Sequence, residues 1–92
     1  MGSEDVREIL GRKRTVEILD YLSSSGVQNF SEVESAIDTS SDTLADSLEL
    51  LQEYDLVERE KRSKKDVRYE ITEKGERFLG AVRTIDEILR SG

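Results

Sequence analysis

The chain has 92 residues, with 21 Asp and Glu against 14 Lys and Arg, for a net charge of −7 and no His or Cys. A chain of this size buries only about 64% of its unfolded surface, so a single domain over residues 1–92 with a modest core is expected, and a second copy would help to cover it. The missing imidazoles and thiols exclude His-based triads, disulfides and the usual zinc or haem ligation. No run approaches the 18 or more apolar residues of a membrane span, and the N-terminus lacks a secretory apolar core, which points to a cytoplasmic, non-catalytic domain without a cofactor.

The first helix is expected from about Asp5 to Ser24, bending at Gly11. Thr15, Ile18, Leu19 and Leu22 recur on one face of a 3.6-residue period. Val27-Gln28-Asn29 reads as a connector or edge strand. Ser31 and Glu34 have the spacing of a capping box, opening a short second helix that buries Val33, Ala36 and Ile37. After a turn at Asp38-Thr39-Ser40, Ser40 or Ser41 caps a third helix ending near Tyr54, with Leu44, Leu48 and Leu51 inward. Asp55 stands where a helix commonly ends in a left-handed residue. Leu56 to Lys61 and Val67 to Ile71 read as strands joined by the charged loop Arg62-Ser63-Lys64-Lys65-Asp66. Thr72 caps a last helix from Glu73 to about Arg90, striped by Phe78, Val82, Ile85 and Leu89.

The net charge resolves into a pattern along the chain. Residues 1–30 sum to −1, residues 31–58 hold nine acids and no base, and residues 59–92 sum to +3. Within the last block, residues 59–68 carry six bases (Arg59, Lys61, Arg62, Lys64, Lys65, Arg68) against two acids. On the third helix, Asp42, Asp46, Glu49 and Glu53 fall within about 40° of the direction opposite Leu44. Carboxylates at that spacing can also serve a metal-dependent hydrolase, but an exposed acidic helix is far more often a solvated face.

Three helices, a two-stranded hairpin and a final helix define a mainly helical α+β class. Phe30-Ser31-Glu32-Val33, the Ser40–Leu48 segment, Leu50–Arg59 and Arg68–Gly75 resemble successive parts of a winged helix domain, covering roughly residues 12–80. The chain thus resembles the winged helix-turn-helix transcriptional regulators, especially small archaeal and bacterial ones of the MarR-, HxlR- or PadR-like kind. The resemblance implies a homodimer on double-stranded DNA, one helix in the major groove and the wing on the backbone. The residues it assigns to DNA are Arg12, Lys13 and Arg14, then Ser40, Ser41, Thr43 and Ser47, then Lys61, Arg62, Lys64, Lys65 and Arg68. Phe78, Val82, Ile85 and Leu89 are assigned to dimerisation. The acidic third helix departs from the pattern, because Arg and Lys make the commonest contacts to guanine. Two explanations follow. One is a halophile, whose molar salt shortens electrostatic reach to about 3 Å. The other is a module whose acidic helix binds a basic protein instead of DNA.

Overall fold

The computed structural model describes residues 3–11 and 13–91. The stretch expected as the first helix is helical wherever it is described, as α1 (Ser3–Gly11) and α2 (Lys13–Ser25), with Arg12 between them outside the described residues. The buried Thr15 hydroxyl donates to the Ile9 carbonyl at 2.6 Å. Gly26, at φ 80°, closes α2 by donating its amide to the Leu22 carbonyl at 2.9 Å.

The connector after α2 is an edge strand, β1 (Gln28–Asn29), which makes the sheet three-stranded rather than two-stranded. Asn29 caps α3 (Phe30–Ala36): it accepts from the Glu32 amide at 2.8 Å, and Glu32 Oε1 accepts from the Asn29 amide at 2.9 Å. The capping box therefore sits two residues before the expected Ser31/Glu34 pair, because β1 already delivers Asn29 in extended backbone, the conformation a cap requires. Only Val33 and Ile37 of this segment are buried, and Ala36 is exposed.

Ser40 caps α4 (Ser41–Glu53), which ends in a Schellman motif: Leu56 donates to Leu51 O at 2.9 Å and Asp55 to Gln52 O at 3.0 Å. Asp55 takes φ 60°, the left-handed conformation expected there. Strands β2 (Val57–Lys61) and β3 (Val67–Ile71) pair antiparallel from Val57 opposite Ile71 to Lys61 opposite Val67, and β1 pairs with the other edge of β3. Thr72 caps α5 (Glu73–Arg90) and donates its hydroxyl to the Asp55 carbonyl at 2.5 Å, tying the hairpin base to the end of α4.

The core gathers Ile18, Leu19 and Leu22 of α2, Val33, the leucines of α4, Val57, Tyr69 and Leu79. Leu50 belongs to it as well, so the apolar arc of α4 is wider than Leu44, Leu48 and Leu51 alone. The sequence-predicted winged helix-turn-helix class is the fold observed, with one added strand.

Candidate nucleic-acid interface

The hairpin loop is built to carry charge outward. Ser63 and Asp66 close a turn on themselves: the Asp66 amide donates to Ser63 Oγ at 3.1 Å, and the Arg62 amide donates to the Asp66 carbonyl at 2.8 Å. Lys64 and Lys65 are its two central residues and are fully exposed. Of the six wing bases, two are held by neighbours. Arg62 lies 2.6 Å from Glu60, whose carboxylate raises the guanidinium pKa further above its ordinary value, and Arg68 lies 3.2 Å from Asp66. Arg59, Lys61, Lys64 and Lys65 have no ion-pair partner among the described residues. The wing tip therefore keeps four cations free for an anionic surface.

Of the N-terminal basic cluster, only the Arg14 side chain lies among the described residues. Arg12 lies outside the described residues, as does the side chain of Lys13. Arg14 is spent on Glu17, with contacts of 2.8 and 3.0 Å to its two carboxylate oxygens.

On α4 the four hydroxyl candidates separate. Ser47 is 2% exposed and points into the core, so it leaves the set of groups able to touch DNA. Its place about 60° from Leu44 on the helix wheel explains this, because the widened apolar arc takes in that direction. Ser40 donates to Thr43 Oγ1 at 2.9 Å while capping the helix, and Ser41 donates to the Glu34 carboxylate. Ser40, Ser41 and Thr43 are exposed at the helix start. Sequence reasoning missed Ala45, which is exposed beside Ser41 at about 100° from Leu44 and gives α4 an uncharged edge.

The carboxylates Asp42, Asp46, Glu49 and Glu53 are all exposed, as expected. Three of them, Asp46, Glu49 and Glu53, line one shallow cleft together with Glu8 of α1. The acidic surface is therefore shared between two helices and lies to one side of the Ser41–Ala45 edge.

The dimerisation stripe on α5 divides along its length. Phe78 and Val82 are half-buried, with Phe78 packed on the core, whereas Ile85 and Leu89 are 45% and 78% exposed. Ile88, beside them, is 65% exposed.

A helix-turn-helix pair, α3 and α4, followed by a charged wing and a C-terminal helix with a free apolar end defines a winged helix-turn-helix protein of the regulator class. The model of the HxlR-like helix-turn-helix proteins matches residues 9–91, and the chain belongs to that family. It is similar to a possible HxlR family transcriptional factor from Thermoplasma volcanium, at 33% identity over 97% of this chain and 82% of that one, with a TM-score of 0.76. It is also similar to the reduced form of the transcriptional regulator YodB from B. subtilis, at 26% identity over 91% and 84% of the two chains, with a TM-score of 0.79. No curated protein sequence matches the chain. No described helix is long and apolar enough to cross a membrane.

Proposed function

We propose that the protein is a cytoplasmic, DNA-binding transcriptional regulator that acts as a homodimer on double-stranded DNA. The observation that carries the reading is the wing tip, where Lys61, Lys64 and Lys65 have no ion-pair partner among the described residues on and around a closed Ser63–Asp66 turn, in a member of a helix-turn-helix family. Each phosphate that such cations neutralise releases condensed counterions, which is the main source of affinity for a duplex. Lys61, Lys64 and Lys65, with Arg62 behind its Glu60 partner, lie along the phosphates. The α4 start, with Ser40, Ser41 and Thr43, faces the major groove. The free end of α5 pairs the subunits through Phe78, Val82, Ile85 and Leu89, since a surface of this kind is buried in isologous dimers.

The acidic flank of α4 opposes this binding and sets its salt response. At low ionic strength Asp46, Glu49 and Glu53 repel phosphate, and salt relieves that repulsion as it weakens the wing contacts. A shallow salt dependence that persists toward molar KCl, the behaviour suited to a salt-rich cytoplasm, is expected.

The test is duplex titration from low salt to molar KCl with the wild type and with a variant in which Lys61, Arg62, Lys64 and Lys65 are replaced by Ala. The variant is expected to bind every sequence more weakly and to lose about one unit of salt slope per phosphate contact removed. Unchanged affinity and slope reject the wing assignment. Absence of wild-type binding at any salt rejects DNA as the partner and leaves a basic protein as the one that meets α4.

A further inference from the structure

A strongly apolar cavity is lined by the described residues. It has a volume of about 300 Å³ and opens between α1, the end of α4 and the first turns of α5. Its walls are Val6 and Ile9 of α1, the α4 cap residue Tyr54, Leu56 and Phe78, with the Lys74 side chain at its edge. Among the described residues no side chain fills it, and Val6 is left 44% exposed. The same molecule carries the matching knob. Leu89 is the most exposed of the large apolar side chains, at the far end of the helix that provides Phe78.

The spacing of the α5 stripe states how the two halves meet. Phe78, Val82, Ile85 and Leu89 are separated by four, three and four residues, so the pattern is symmetric about a point between residues 83 and 84. A two-fold axis at that point makes an antiparallel helix pair in which Val82 faces Ile85 of a second copy and Phe78 faces its Leu89. Phe78 is a wall of the cavity, so that register delivers the second copy's Leu89 to it. The last turn of that helix then reaches the first turns of the other α5, where Lys74 and Asp5 complete the lining of the cavity.

We propose that the α5 helices of two copies pair antiparallel about residues 83–84 and seat Leu89 of each in the Val6/Ile9/Tyr54/Leu56/Phe78 cavity of the other. The proposal rests on the homodimer reading and adds its register and its socket. Tyr54 is both a wall of that socket and the cap of α4, and its hydroxyl also holds α1 through Asp5 and Glu8. Dimer formation thereby fixes the end of the recognition helix and the position of α1 together.

The chain has no cysteine, so single spin labels at Thr84→Cys and Arg90→Cys report without background. The two labels at position 84 are expected close to the axis. Those at position 90 are expected further apart, because they are offset along the helices by roughly 20 Å, given 1.5 Å per residue on each side of the axis. Equal separations at the two sites mean parallel pairing and overturn the register. Filling the socket with Val6→Phe is expected to raise the dimer dissociation constant about tenfold or more, which corresponds to losing one well-packed side chain. Adding Leu89→Ala to that variant is expected to restore part of the loss. Leu89→Ala alone, at an exposed position, weakens the dimer without touching the monomer fold. Dimerisation indifferent to both single changes overturns the socket while leaving a homodimer in place. A wild type that stays monomeric at every concentration overturns the homodimer reading itself.

Discussion

Asp55 precedes Thr72 by 17 residues, yet the two form with Gly75 one fastening at the base of the wing. The Thr72 hydroxyl donates to the Asp55 carbonyl and accepts from the Gly75 amide at 2.9 Å, so one side chain satisfies a helix start and a helix end. Thr72→Ala is expected to cost about 1–2 kcal/mol in urea unfolding, the usual loss for an N-cap. Gly75 sits so close to the chain that a Cβ there would meet the Leu56 carbonyl oxygen at 2.2 Å. Backbone cannot yield as a flexible side chain would, and Gly75→Ala is expected to destabilise by about 1–3 kcal/mol. Tyr54 supplies a prediction in pH. Its hydroxyl lies 3.0 Å from Glu8 Oε1 and 3.1 Å from Asp5 Oδ1. The hydrogen bond to Glu8, then partial desolvation, then the bond to Asp5 push the phenol up from 10.0 to about 12. The protonated phenol makes these bonds, so the link between α1 and α4 is complete below about pH 10 and is lost as pH rises through about 12. In a spectroscopic titration, a tyrosine ionisation at about 12 is expected in the wild type and should be missing from Tyr54→Phe.

At the scale of elements, α4 presents a helix whose neutral edge and acidic flank pull in opposite directions. Neutralising the flank with Asp46→Asn, Glu49→Gln and Glu53→Gln is expected to tighten DNA binding at low salt by on the order of 1 kcal/mol and to steepen the salt slope. Unchanged binding in that variant would place the flank away from the duplex. The acidity of this flank was legible from helical spacing alone, as were the caps at Ser40 and Thr72 and the left-handed Asp55, because each depends on residues within one turn. What was not legible depends on distant partners. The Thr15 hydroxyl on the Ile9 carbonyl joins residues six apart, a contact that Gly11 and the apolar spacing do not signal. The burial of Ser47 and Leu50 needs the neighbours that widen the apolar arc of α4. The capping box moved from Ser31 to Asn29 because a two-residue strand, too short for any periodicity, sets the backbone there. Among the assigned phosphate contacts, the fate of Arg14 turned on a Glu17 three residues along its own helix, a pairing that spacing permits but does not require.

For the whole molecule, the division of charge decides how salt acts on stability as well as on binding. The ion pairs among the described residues are exposed or partly exposed contacts, each worth little in water, and those at Arg14, Arg62, Arg68, Arg83 and Arg90 consume none of the acids in residues 31–58. That block is left with nine negative charges and no base, concentrated on α3, α4 and the start of β2. Folding brings these charges closer than the unfolded chain does, so mutual repulsion subtracts from a modest core. Raising ionic strength from about 0.01 M to about 1 M shortens the screening length from roughly 30 Å to roughly 3 Å, which removes most of that repulsion while leaving apolar burial intact. The exposed pairs lose far less than the repulsion releases, because screening acts on every like-charged neighbour at once. The thermal midpoint of the wild type is therefore expected to rise steadily between those salt concentrations. The Asp46→Asn, Glu49→Gln, Glu53→Gln variant is expected to start higher and to rise less. A midpoint that falls with KCl, or that rises equally in both proteins, would show that the acidic block does not limit the fold. The net charge of the chain would then bear on its partner alone.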